Sequence, residues 1–138
     1  MKRIDITPQM RSLLIAARRV AVENDAEALI LLADLPFSFA SINKYLRSFR
    51  LVVASDKEEV QQAAEEDDVA FVRLHEPETR QFQLSQAILE AIADEFLASG
   101  EKVVAIYSLM ERDTIDSITL INLEEHLAKL TSRDLQRL

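Results

Sequence analysis

At 138 residues, the sequence is long enough for one domain that buries about two-thirds of its unfolded surface in a single core. Its formal net charge of −8 disfavours a general nucleic-acid surface, and the absence of cysteine excludes a disulfide scaffold and a thiolate metal site. Gly100 is the only glycine, which excludes the glycine-rich phosphate loops of the Rossmann, P-loop and kinase types.

The N-terminus predicts a helix rather than a targeting signal. Thr7 is placed to cap this helix, Pro8 suits its first position, and apolar residues recur every three or four positions to near Asn24. The basic residues before it are not followed by the apolar run of a signal peptide, and no run in the sequence is long enough to span a membrane. We therefore expect a cytoplasmic protein.

The stretch from Ala28 to Tyr45 predicts a strand, a turn and a helix. Its first six residues are all apolar, too few for a buried helix but typical of a strand covered on both faces. Pro36 ends the strand, because it removes a backbone donor and restricts the residue before it. Ser38 or Ser41 then caps an amphipathic helix.

The rest of the chain repeats this alternation. Strands are predicted over residues 51–54, 69–74, 103–107 and 117–123, and helices over 57–66, 79–98, 124–130 and 132–138. A turn is predicted at residues 75–78, and 79–98 is predicted to be the longest helix, with Gly100 placed to stop it. Strands that alternate with helices predict an α/β fold: a three-layer α/β/α sandwich with right-handed crossovers.

From about Met10 to Asn122 the sequence resembles the C-terminal, allosteric domain of pyruvate kinase. The resemblance lies in the order and spacing of the opening helix, ALILLAD, Lys44-Tyr45, LVVASD, LASGEKVVAIYS and DSITLIN. It implies a mostly parallel five-stranded sheet of order 3-2-1-4-5, with the last strand antiparallel. It does not imply that enzyme's activity, since the barrel that carries the chemistry is absent.

The sequence departs from this resemblance where effectors bind. In effector-regulated pyruvate kinases the loop after the first strand is a phosphate cradle rich in Ser, Thr, Gly and Lys. Residues 33–38 here keep one hydroxyl, on Ser38, beside Asp34, Pro36 and Phe37. The second effector loop corresponds to residues 109–114, which contain no glycine. Binding of a sugar bisphosphate is therefore not expected.

The closing run LEEHLAKLTSRDLQRL is similar to the segment that leads into the cyclase domain of DNA-integrity-scanning diadenylate cyclases. Domains like this one are fused in front of such cyclases, whose Asp-Gly-Ala and Arg-His-Arg motifs do not occur here. The resemblance implies a pyruvate kinase C-terminal-like domain at 1–122 and a helical tail at 123–138 that links to a downstream domain. The alternative is that the tail's leucines pack on the domain's own sheet.

A ligand site is predicted where the strand order reverses, between the carboxyl ends of the first and fourth strands. Helix N-termini after Ser38 and Ser55 would offer amide donors to a small anion, and Arg112 would be its cation. A solvated loop with local ion pairs is the alternative for residues 108–115. No metal or cofactor is predicted. The residues predicted to line the crevice are Asp34, Ser38, Ser55, Ser108, Glu111, Arg112 and Asp113.

Two classes of function are consistent with these observations. The first is a regulatory or interaction domain that binds a small anionic metabolite, a nucleotide or a partner at the crevice, or dimerises through the tail helix or edge strand, and biases an attached catalytic domain. The second is a small stand-alone enzyme that acts on an anionic metabolite, with Asp34 or Asp113 as base. A structural module that binds no ligand is a further alternative, close behind the regulatory domain. No nucleic-acid or membrane partner is predicted.

Overall fold

The computed structural model describes residues 2–75, 79–110 and 113–129. Three sets of predictions lie outside these ranges. They are most of the turn at residues 75–78, the crevice residues Glu111 and Arg112, and the last predicted helix, at 132–138.

One five-stranded sheet forms the middle layer, in the order β3-β2-β1-β4-β5. The first four strands run parallel, and β5 pairs antiparallel with β4, which confirms the predicted order and direction. All residues of the central strand β1 are buried, which explains why its sequence is uniformly apolar. The strands are β1 (Ala28–Leu32), β2 (Arg50–Ser55), β3 (Ala70–Arg73), β4 (Lys102–Tyr107) and β5 (Ser117–Asn122).

Helices cover both faces of the sheet and complete the predicted three layers. In the described ranges they are α1 (Pro8–Glu23), α2 (Phe39–Tyr45), α3 (Glu58–Glu66), α4 (Arg80–Ala93) and α5 (Leu123–Lys129). The first three share one core with Leu29 and Leu31 of β1, and the last two share the other with Ala28 and Ile30. Alternate strand residues thus supply opposite cores. None of these helices has the length and apolar character needed to cross a membrane.

The end of α4 differs from the prediction. The helix was expected to continue to residue 98, but it ends at Ala93, so α1 with 16 residues is longer than α4 with 14. Glu95 adopts a left-handed φ of 64°, and the amide of Phe96 donates to the carbonyl of Ala91 across 2.8 Å. This is a Schellman ending, in which an acidic residue takes the place usually held by glycine.

Glu95→Gly is expected to raise the free energy of unfolding by about 0.5 to 1 kcal/mol, because glycine enters the left-handed region without the steric cost of a Cβ. Urea denaturation measures the change. Asp94→Gly is the matched control: Asp94 has a φ of −87° and gains nothing from glycine. A destabilised Glu95→Gly variant would show that the carboxylate contributes more than the backbone strain costs.

The residues before α1 form an N-terminal strap, residues 3–6, across the loop between β1 and α2. Ile4 makes a parallel bridge with Phe37 and two backbone hydrogen bonds of 3.0 Å with the residues on either side of it. Arg3 donates to two carboxylates at the end of α3, at 2.7 Å each. The strap therefore ties the loop after β1 to α3.

His126 gives α5 a pH-dependent contact with α4, since its Nε2 lies 3.2 Å from Ser85 Oγ. Burial, and then the charge of Lys129, lower the pKa of His126 below its usual value of 6.5. The unfolded chain therefore binds a proton more readily than the folded one. Well above pH 6.5 the imidazole is neutral in both states, and the folded state loses stability progressively as the pH falls through 6.5.

We expect the free energy of unfolding to decrease as the pH falls from about 6.5, and His126→Gln to remove part of that decrease. Urea denaturation at a series of pH values measures it. His75→Gln is the comparison: His75 is 64% exposed, and its contact with Glu90, 3.6 Å from Nε2 to Oε1, lies at the surface and should change stability little. An unchanged pH profile in His126→Gln would contradict the prediction.

Candidate functional site

The strand order reverses between β1 and β4, and two of the predicted site residues lie there. Asp34 follows β1 and Ser108 follows β4. Arg80, the first residue of α4, joins them: its Nη2 donates to Asp34 Oδ2 across 2.5 Å and its Nε to the Ser108 carbonyl across 2.7 Å. The guanidinium thus connects the carboxyl ends of two neighbouring parallel strands.

The position of Arg80 follows from how α4 begins. The hydroxyl of Thr79 accepts a hydrogen bond of 3.1 Å from the amide of Phe82, which starts the helix at residue 80. One turn later, Gln83 is buried, and its Oε1 accepts from Arg80 Nη1 across 2.9 Å. Three partners on three segments therefore fix the orientation of the guanidinium.

The ion pair between Arg80 and Asp34 is largely shielded from solvent. The side chain of Arg80 is 21% exposed and that of Asp34 is 13% exposed. Because water screens the pair only in part, each charge depends on the other for compensation. The Arg80 side chain as a whole keeps about a fifth of its surface in contact with solvent.

The hydroxyl of Ser108 is the unsatisfied group of this site. Ser108 is 2% exposed, and its Oγ has no hydrogen-bond partner among the residues that the structure describes. Buried side-chain hydroxyls are normally paired. The residue whose carbonyl binds Arg80 therefore also carries a polar atom that has no partner in the described part of the chain.

The N-terminus of α2, predicted to bind an anion, is occupied by the chain itself. Asp67 Oδ2 accepts a hydrogen bond of 3.1 Å from the amide of Ala40 and also pairs with Arg3 at 2.7 Å. Ser38 takes the cap position without a capping hydrogen bond, and its Oγ lies 2.9 Å from that of Ser41. An internal carboxylate thus fills the position that an external anion would need.

The other predicted residues take no part in the Arg80 contacts that the structure describes. Ser55 is buried, and its Oγ accepts from the amide of Lys57 across 3.1 Å, which orders the start of α3. Asp113 lies on the exposed surface, and Arg112 lies outside the described ranges. No group of three or more His, Cys, Asp or Glu that could hold a metal occurs in the described ranges.

Asp116 binds the two residues that follow Ser108. Its carboxylate accepts the amides of Leu109 and Met110 across 2.7 and 3.2 Å and the hydroxyl of Ser117 across 2.8 Å. The side chains of Leu109 and Met110 point outward and are exposed. A solvated loop was the alternative predicted for residues 108–115, but the hydrogen bonds from Leu109 and Met110 to Asp116 were not predicted.

Sequence reasoning missed Arg80 and assigned the site's positive charge to Arg112. A signal was present, because the predicted α4 follows β3 and its first turn must lie at the carboxyl edge of the sheet. The charged residue in that first turn is Arg80. Its partner Asp34 is 46 positions away in the sequence, and only the crossover of the chain brings the two together.

Two comparisons with known proteins bear on the family and the fold of this chain. The family described as "Probable sensor domain DacZ_P" matches residues 9–131. Among solved structures, the chain is similar to the pyruvate kinase of Cryptosporidium parvum, with a TM-score of 0.67 and 16% identity. This likeness confirms the pyruvate kinase C-terminal-like fold and shows the fold alone. It covers 85% of this chain and 23% of that enzyme. No curated protein matches the sequence.

Proposed function

This chain belongs to the family of the probable sensor domain DacZ_P, and on that premise we propose that it is a non-catalytic domain that senses a small ligand carrying an anionic group. The site is the switch-point crevice at the carboxyl ends of β1 and β4. The observation that carries the proposal is Arg80, a shielded guanidinium that bonds to Asp34 and to the Ser108 carbonyl. Ligands of open α/β sheets bind at this position.

The chemistry of the crevice favours recognition over catalysis. Arginine is the side chain best suited to bind a carboxylate or phosphate through several hydrogen bonds. The stand-alone enzyme hypothesis named Asp34 or Asp113 as its base. Asp34 uses its Oδ2 to bind Arg80 and Asp113 lies on the exposed surface, so no specific observation favours that hypothesis.

The output of the sensor is proposed to be a diadenylate cyclase domain in a longer protein. The family's name and the resemblance of residues 123–138 to a cyclase linker support this. A physical route exists: Ser108 follows β4 directly, β5 pairs with β4 along its full length, and α5 follows β5 directly. A displacement of Ser108 would be passed to α5 through Leu123, which is fully buried.

Self-association belongs to the same proposal. The edge strand β5 carries no charged residue, so it lacks the charges that commonly protect sheet edges from pairing. Its Leu120 side chain is 43% exposed and offers apolar surface to a partner. A dimer through β5 or the tail would bring two output segments together. Sedimentation of the 138-residue chain tests this, and a monomer at all concentrations would remove it. A cytoplasmic location stays a prediction from the sequence.

Thermal denaturation of the 138-residue chain tests the sensing function. The panel contains phosphate, sugar bisphosphates, ATP, cyclic di-AMP, carboxylic acids and amino acids. A ligand at about a hundred times its Kd should raise the midpoint by about 5 to 10 °C. The shift should be lost in Arg80→Gln and kept in Arg19→Gln, whose ion pair is solvent-exposed.

Two outcomes would contradict the proposal. A shift that persists in Arg80→Gln would place the ligand elsewhere, and a flat response to the whole panel would favour a structural module. The cyclase assignment has its own test, because the coding sequence beyond Leu138 either contains a cyclase domain or does not. In the longer protein, Arg80→Gln should abolish the ligand's effect on cyclic di-AMP synthesis.

A further inference from the structure

Among the described residues at the switch point, the charges of Arg80 and Asp34 balance each other, which restricts what can bind there. The geometry points to a zwitterion as the ligand: a free amino acid whose carboxylate replaces Asp34 on Arg80 while its ammonium group pairs with the displaced Asp34. This inference rests on the proposed sensing function and names the chemical class of its ligand. In the free protein, Asp34 occupies the position of the ligand's carboxylate, and ligand binding separates the Arg80–Asp34 pair.

A ligand with a single charge fits this site poorly. The two side chains of the pair are 21% and 13% exposed, so neither charge is well solvated without the other. A simple anion that took Arg80 would leave Asp34 uncompensated in that shielded position, and a simple cation would do the same to Arg80. A zwitterion keeps both groups paired and leaves the net charge of the crevice unchanged.

A ligand with two or more negative charges fits no better. The amide of Ala40, in the first turn of α2, is bonded to Asp67, and the amide of Lys57, just before α3, is bonded to the hydroxyl of Ser55. The two amides are therefore already used. In the described part of the chain, Arg80 is the cation that bonds to the residues after β1 and β4. One guanidinium that already compensates one carboxylate cannot neutralise a phosphate dianion as well.

Ser108 supplies a third point of recognition. Its hydroxyl is buried and unpaired among the described residues, and it belongs to the residue whose carbonyl accepts from Arg80 Nε across 2.7 Å. A carboxylate on Arg80 presents a second oxygen, and the inference assigns the unpaired Ser108 hydroxyl as its donor. A buried hydroxyl that is satisfied only in the complex favours the bound state, because its desolvation is already complete in the free protein.

The test uses matched ligands that differ by one charge. Each of the standard amino acids is added to the 138-residue chain, and the one that most raises the unfolding midpoint is titrated by calorimetry. The same side chain is then supplied as the carboxylic acid that lacks the ammonium group and as the amine that lacks the carboxylate. We expect the amino acid to bind and both single-charge analogues to bind at least about tenfold more weakly.

Variants of the site should then change its relative affinity for the amino acid and for the carboxylic acid analogue. Asp34→Asn should weaken the amino acid at least about tenfold and strengthen the carboxylic acid analogue, because Arg80 is released from its internal partner. Arg80→Gln should lose both ligands, and Ser108→Ala should weaken the amino acid. A gain of affinity in Asp34→Asn cannot come from loss of folding. Arg19→Gln is the control and should match the wild type.

The outcomes separate this inference from the sensing function. If no amino acid shifts the midpoint, or if the carboxylic acid or phosphate binds the wild type as tightly as the amino acid, the zwitterion is wrong. Retention of amino acid affinity in Asp34→Asn would also overturn it. In each case the sensing function survives if some ligand gives a shift that Arg80→Gln abolishes. If none does, both fall.

Discussion

Replacing Arg80 with glutamine is expected to lower the free energy of unfolding by about 2 to 3 kcal/mol. The change removes the donors to the Asp34 carboxylate, the Ser108 carbonyl and the side chain of Gln83. The largest part should come from Asp34, which is 13% exposed and would remain charged without its partner. Urea denaturation at neutral pH measures the loss.

Two comparisons make this prediction specific. Arg19→Gln breaks an ion pair in which Arg19 is 80% exposed and should change stability by no more than about 0.5 kcal/mol. The double variant Asp34→Asn with Arg80→Gln should be more stable than the sum of the single changes predicts, since neither charge is then left alone. Strict additivity would show that the two side chains are not energetically coupled.

Phe37→Ala is expected to lower the free energy of unfolding by about 3 to 4 kcal/mol. Phe37 is 1% exposed and packs edge to face with Phe39, with ring centroids 6.4 Å apart. It also forms the bridge with Ile4, so a cavity there loosens the strap. The thermal midpoint should fall by about 10 °C.

The control for Phe37→Ala is Met110→Ala. Met110 is 81% exposed and should change stability by no more than about 0.5 kcal/mol. A loss below about 1 kcal/mol for Phe37→Ala would show that the loop after β1 refills the cavity, a relaxation that buried sites rarely complete. Hydrogen exchange of the Ser38 and Ile4 amides would report such a rearrangement directly.

The sheet could be predicted because its signals are local. A short apolar run before Pro36 is enough to place β1, and the alternation of strands with helices predicts parallel pairing. The antiparallel β5 came from the resemblance to pyruvate kinase rather than from periodicity. The end of α4 could not be read in the same way, because Glu95 in a left-handed conformation has no distinctive sequence signal when Gly100 stands nearby.

The candidate site was predicted in part, and for a clear reason. Asp34 and Ser108 immediately follow strands, so knowledge of the strand order places them at one edge. Arg80 begins a helix 28 positions before Ser108 in the sequence, and its reach depends on where the α4 crossover lands. The hydrogen bond from the Ala40 amide to Asp67 was not predictable either, because it joins residues distant in the sequence and depends on how α3 ends.

The N-terminal strap determines where the folding unit begins. The family match starts at residue 9, but Arg3 and Ile4, which tie the β1–α2 loop to α3, precede it, as does Thr7, whose hydroxyl caps α1. A recombinant chain trimmed to the matched region would therefore discard the part that closes the loop beside Asp34. A protein expressed from residue 9 onward would lack these contacts and should be less stable. Purification tags therefore belong upstream of Arg3, with the strap left intact.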